Sequence, residues 1–185
     1  MSSAVRAVVV LALAVALMAC SGGGGQASAP TTTTTRPATT QPTPTTRSQE
    51  DEVKQAWDDY WAMMVRLGGA PDPGDAELPT RVVDPLLSFL KDDLGTRAAK
   101  GERVVIPPGA QYAHRFLSAA VSAGNATVAG CQLDDAVTVG QDGAVLDNAV
   151  LTKDLRATFV RQNGAWLVKQ VEITAQTQGL VGCGS

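Results

Sequence analysis

The side chains able to move a proton are few and scattered in this sequence. Acid–base work in an apolar site falls to Asp, Glu, His or Tyr whose pKa the surroundings have shifted. The candidates by type are Tyr60, Tyr112, His114, Asp134 and Asp135, and His114 is the chain's one histidine. Asp134 and Asp135 are adjacent, so on a strand their carboxylates point to opposite faces and cannot share a task. Tyr112, His114 and Phe116 recur at a spacing of two and share a face if the segment is extended. Trp57, Tyr60 and Trp61 fall on one stripe of a helix, where an aromatic cluster more often builds core than lines a cavity. The candidate cavity-lining set is therefore Trp57, Tyr60, Trp61, Tyr112, His114 and Phe159. Other chemistries fail on spacing. There is no Gly-x-Ser-x-Gly elbow, no phosphate-binding loop and no His-rich metal pattern, and Asp142 to Asp147 lacks the ligand density of a calcium loop. No catalytic residue, cofactor or metal ligand is assigned.

Charge narrows the partners. All 18 acidic residues lie beyond Gln49, whereas Arg6, Arg36 and Arg47 precede it, so the remainder carries a net −6. An acidic globular part with no basic cluster argues against nucleic acid, whose binding rests on Lys and Arg neutralising phosphate. Charge of this sign serves solubility.

The three cysteines divide the chain. One basic residue, Arg6, precedes an apolar run from Ala7 to Ala19, too short to span a membrane comfortably and suited to a signal-peptide core. The run ends in Leu17-Met18-Ala19-Cys20, which resembles the lipobox of a bacterial lipoprotein. The resemblance implies that residues 1–19 are removed and that Cys20 carries acyl chains. At about 0.8 kcal/mol per buried CH₂, two chains hold a protein stably on a membrane. The expected location is the outer face of the bacterial cytoplasmic membrane, the protein being exported and lipid-anchored. An ordinary secretory signal with an incidental Cys20 is the alternative. In an exported protein the remaining pair, Cys131 and Cys183, is most simply a disulfide, tying the tail back to the fold.

Residues 20–48 are rich in Thr, Pro and Gly and show no apolar periodicity, so they are expected to stay disordered. Extended segments of this composition could hold a domain up to roughly 80 Å from its anchor, and they invite O-glycosylation.

The folded part is expected over residues 49–185. Ser48-Gln49-Glu50-Asp51 reads as a capping box, followed by a stripe of Val53, Trp57, Tyr60/Trp61 and Met64 that Gly68-Gly69 ends. Ala70 to Pro79 reads as a loop. Asp84-Pro85 reads as the cap and first residue of a second helix carrying Leu86, Leu87, Leu90 and Leu94. Gly101 ends it, with Gly95 as a point of interruption. From Glu102 the period becomes two: a short run at Val104–Ile106, then strands over Tyr112–Val121 and Asn125–Leu133. A turn at Asp142-Gly143 follows. Asn163-Gly164 is the strongest turn signal, because a type I′ turn needs positive φ at both central residues. It sets Phe159 opposite Val168 and Arg161 opposite Trp166, with Leu155, Ala157, Phe159, Trp166 and Val168 on one face. Helices first and meandering strands after predict an α+β fold with helices on one face of an antiparallel sheet.

From about Glu50 to Ala175 this order resembles the nuclear transport factor 2-like superfamily, which includes SnoaL-like members. The resembling pieces are Ala56-Trp57-Asp58-Asp59-Tyr60-Trp61, Ala126-Thr127-Val128-Ala129-Gly130-Cys131, and Leu155 through Val168. The resemblance implies N-terminal helices packed on a strongly bent antiparallel sheet, forming a cone. It implies no single activity, because that fold hosts isomerases, dehydratases, cyclases and binding modules. The reading preferred from sequence is a non-catalytic accessory module of the cell envelope. Its partners would be a small apolar ligand, an envelope protein, or a second copy on the open sheet face. The alternative is a small cone-fold enzyme with an acid–base group in the cavity.

Overall fold

The structure is a computed structural model and describes residues 48–183. The signal segment, Cys20 and all of the linker except Ser48 lie outside the described residues. Among those residues no helix is long and apolar enough to cross a membrane.

The first helix, α1 (Gln49–Gly69), opens with the capping box read from sequence. Ser48 Oγ accepts from the Asp51 amide, and the Asp51 carboxylate accepts from the Ser48 amide. Its buried stripe is Val53, Trp57, Tyr60, Met63 and Leu67, so Met63 takes the place expected of Met64, and Trp61 and Met64 are only partly covered. A short helix that the sequence hid in a Pro/Gly/Asp loop, α2 (Leu78–Arg81), buries Leu78. The next helix, α3 (Leu86–Lys100), begins one residue later than expected, with Pro85 outside it. The N-cap is therefore Pro85 and not Asp84, although the Asp84 carboxylate, one residue earlier, accepts from the Ser88 amide at 3.1 Å. Gly95 does not interrupt α3, and Gly101 ends it in the left-handed region at φ 65°.

The strands form two antiparallel sheets rather than one meander. The larger is β2 (Ala113–Ser122), β3 (Asn125–Asp134), β6 (Leu151–Gln162) and β7 (Ala165–Gln178), in that order. The smaller is β1 (Arg103–Val105), β4 (Val137–Val139) and β5 (Val145–Asp147), and no closed barrel results. The register of the β6–β7 hairpin is the one expected, with Phe159 opposite Val168 and Arg161 opposite Trp166. Asn163 and Gly164 have φ of 51° and 84°, as the turn requires. Register shifts at Phe116/Ser118, Asp154/Leu155 and Thr158/Phe159 mark bulges, which bend and twist the sheet.

Helices cover one face of this sheet. Trp57, Met63, Leu67, Val128, Ala157, Phe159 and Val168 are almost wholly buried between the layers. Gly130 is required there, since a Cβ would run into the Trp57 ring. The first turn of α1 is fastened to the hairpin end by Glu52, which accepts from Trp166 Nε1 at 3.3 Å and pairs with Arg161 at 3.1 Å. The Arg161 guanidinium also lies over the Trp166 ring.

Candidate functional site: one inner cleft and one outer trough

The six aromatic and imidazole candidates separate into core and rim. Trp57 and Phe159 have no exposed surface, and Tyr60 has 3%. They are packing residues, not cavity walls, because they fill the space that a hollow cone would leave between helices and sheet. Burial pushes the Tyr60 hydroxyl well above its ordinary pKa. Tyr112, His114 and Phe116 do share the inner face, as their spacing predicted. His114 stacks on Trp61 with ring centroids 3.7 Å apart, Tyr112 meets His114 edge-on at 5.1 Å, and Phe116 meets Trp57 edge-on.

Of the six, Trp61 and Tyr112 reach the walls of the inner cleft, a cavity of about 300 Å³ between α1, α3, the small sheet and the ends of β3 and β6. Its remaining lining is mixed, with Met64, Leu94, Val104 and Leu151 beside charged pairs. Asp134 and Lys153, on neighbouring strands, pair at 2.6 Å with side chains only 18% and 16% exposed. Arg97 and Asp93, one turn apart on α3, pair at 3.0 Å. Asp134 is the one adjacent carboxylate that faces this cleft. Asp135 instead accepts from the Gln111 amide.

Burial sets the protonation of the two titratable rings beside the cleft. Burial lowers the His114 pKa to about 4, and Lys153 nearby adds to the effect, so the ring is neutral at physiological pH. Its Nε2 is buried without a hydrogen-bond partner, as are the indole nitrogens of Trp57 and Trp61. Burial and then the Asp134 charge push the Tyr112 hydroxyl up to about 12, against a smaller lowering by its hydrogen bond to Gln132. Of the carboxylates lining the cleft, Asp134 is engaged by Lys153 and Asp93 by Arg97, and Asp147 accepts from the Ala149 amide. Among the described residues no group of His, Cys, Asp and Glu could hold a metal ion.

A second concavity, about 650 Å³, lies on the opposite face of the large sheet. Sequence reasoning pointed to this open face without locating a site on it. Its floor is made of small and polar side chains such as Ser118, Thr127 and Ala129, with Asp154 and Arg156 beside them. Leu117, which is exposed, lines it, as do Val181 and Gly182 of the C-terminal tail. That tail is held by a disulfide and by hydrogen bonds. Cys131 and Cys183 are disulfide-bonded with Cα atoms 5.7 Å apart. The Gly179 amide donates to Val150 O at 2.8 Å. Thr152 Oγ1 donates to Gly179 O and accepts from the Val181 amide. The pairing expected of the two distal cysteines is thus present, and it builds one wall of the trough.

No family model matches the chain, and neither does any curated protein. Among solved structures, the intermembrane space region of the chloroplast protein ARC6 is similar, with a TM-score of 0.54 and 18% identity. The match covers 69% of this chain and 98% of that one. At that identity the likeness concerns the fold alone.

Proposed function

We propose that the chain is an exported lipoprotein whose globular domain, a nuclear transport factor 2-like cone, is a non-catalytic binding module that engages an envelope protein through its outer sheet face. The observation that carries this reading is the contrast between the two concavities. The inner one is small, and two of its three carboxylates are held in ion pairs, Asp134 by Lys153 at 2.6 Å and Asp93 by Arg97 at 3.0 Å. The outer one is about 650 Å³ against about 300 Å³, with exposed apolar Leu117 and Val181 at its margin. Protein-binding sites are open surfaces of this kind, whereas small-molecule sites are enclosed, mostly apolar and carry converging polar groups. The bulged, helix-covered antiparallel sheet supports the cone assignment, and Leu17-Met18-Ala19-Cys20 supports the anchor.

Native mass spectrometry of the chain purified from membranes tests both halves. The expected spectrum shows a mature N-terminus at Cys20 carrying acyl mass, no further small molecule retained, and a Cys20→Ser variant absent from the membrane fraction. An unacylated chain that stays on membranes as Cys20→Ser would overturn the anchor. A stoichiometric small molecule released on unfolding would overturn the reading of the cleft.

A further inference from the structure

The large sheet ends in a long edge that the fold leaves open. Strand β7 runs for 14 residues and pairs along its length with β6 on one side. On its other side the described residues make one bridge, Val82 to Val168, in which the Val83 amide donates to Val168 O at 3.0 Å. The segment then turns away through Asp84 and Pro85 into α3. From Lys169 onward no strand among the described residues lies beside this edge.

The direction of the free backbone groups follows from the ladder. In an antiparallel pair, residues alternate between exchanging hydrogen bonds with the partner and facing away from it. Two anchors set the phase. Val168 O points outward, since it accepts from Val83, and the Gly179 amide points inward, since it donates to Val150 O. The register between them, through bulges at Lys169 and Thr174, directs the amides and carbonyls of Val171, Ile173, Gln176 and Gln178 away from β6. Their partners on β6 (Ala157, Leu155, Lys153 and Leu151) place all four side chains toward the helix-bearing face.

The usual guards of an edge strand are sparse here. There is no proline in β7, and from Ile173 to Gln178 there is no charge. The bulges bend the strand but leave the four outward sites in two pairs of matching spacing. We propose that a second copy of this chain covers this edge, β7 pairing antiparallel with the partner's β7 about a two-fold axis. The register that satisfies both backbone direction and side-chain face sets Ile173 opposite the partner's Gln176, and Val171 opposite the partner's Gln178. It sets Glu172 opposite the partner's Thr177, so no like charges meet. A single segment supplies both halves of the ladder, which is what closed two-fold symmetry demands. The two four-stranded sheets become one, with the outer troughs left open.

Sedimentation equilibrium of the full-length chain in detergent, with amide hydrogen exchange, tests the pairing. The wild-type chain is expected to dimerise, with exchange at Val171, Ile173, Gln176 and Gln178 slowing as dimer forms. Ile173→Lys should weaken the dimer by roughly tenfold or more, because it adds a charge to an uncharged ladder. Ile173→Lys combined with Gln176→Glu should restore it, because each lysine then faces the partner's residue 176. Intact disulfide mass and unchanged near-ultraviolet circular dichroism serve as the check on folding. A wild-type chain that stays monomeric overturns the proposal. So does a dimer indifferent to Ile173→Lys, or one that the double variant fails to rescue.

Discussion

At the residue scale, His114 shows how burial decides what an ionisable group can do. Its ring is stacked on Trp61 and met edge-on by Tyr112, with Nε2 unpartnered. The folded protein therefore resists protonating it, and its pKa falls to about 4 from the ordinary 6.5. Between those values the unfolded chain binds a proton that the native state does not. Stability is therefore complete above about pH 6.5 and declines as pH falls toward 4. With one histidine in the chain, a single imidazole resonance reports this directly by NMR. A midpoint near 4 is expected, with flattening of that part of the stability profile in His114→Phe; a midpoint near 6.5 would show a solvated ring. The shared face of Tyr112, His114 and Phe116 was legible because strand alternation is local. The Asp134–Lys153 pair was not, because its partners meet only through the β3–β6 register, 19 residues apart in sequence. Gly130 was equally opaque: the need for a missing side chain comes from Trp57, far away on α1.

At the element scale, what could be read in advance depended on how short-ranged its cause is. Asn163-Gly164 dictated the hairpin register because the turn geometry is written in two residues, and the capping box fixed the start of α1 for the same reason. The α2 helix escaped because its four residues have no periodicity to display, and Leu78 is held by tertiary burial. The division of strands into two sheets was likewise invisible, since β1, β4 and β5 are three residues each and too short to show alternation. The tail is an element whose position depends on a covalent bond. Closing a loop with a sequence separation of 52 is worth about 4 kcal/mol in the chain-entropy treatment. Cys183→Ser should therefore lower unfolding free energy by about that amount in urea, and should raise hydrogen exchange at Gly179 and Val181. An unchanged denaturation midpoint, with those amides still protected, would show that Thr152 and Val150 hold the tail unaided.

At the scale of the whole molecule, the helix-covered face and the open face differ in how they are filled. On the covered face the large side chains pack: Trp57, Phe159, Met63 and Leu67 fill the space between the layers, and a cleft remains beside Asp134 and Lys153. The open face carries the trough, walled by a tail that the disulfide pins in place. An α+β fold with helices on one side of an antiparallel sheet was within reach of the sequence, because the change of period from helical to alternating is plain at Glu102. Where its concavities lie was not, since that depends on how completely the core fills and on where Gly179 to Cys183 are pinned beside the sheet. A photocrosslinking side chain placed in living cells at Arg156, on the trough, and separately at Thr138, on the cleft wall, tests the assignment most directly. The account predicts a discrete protein adduct from Arg156 and none from Thr138. An adduct formed only from Thr138, or a small-molecule adduct there, would contradict it.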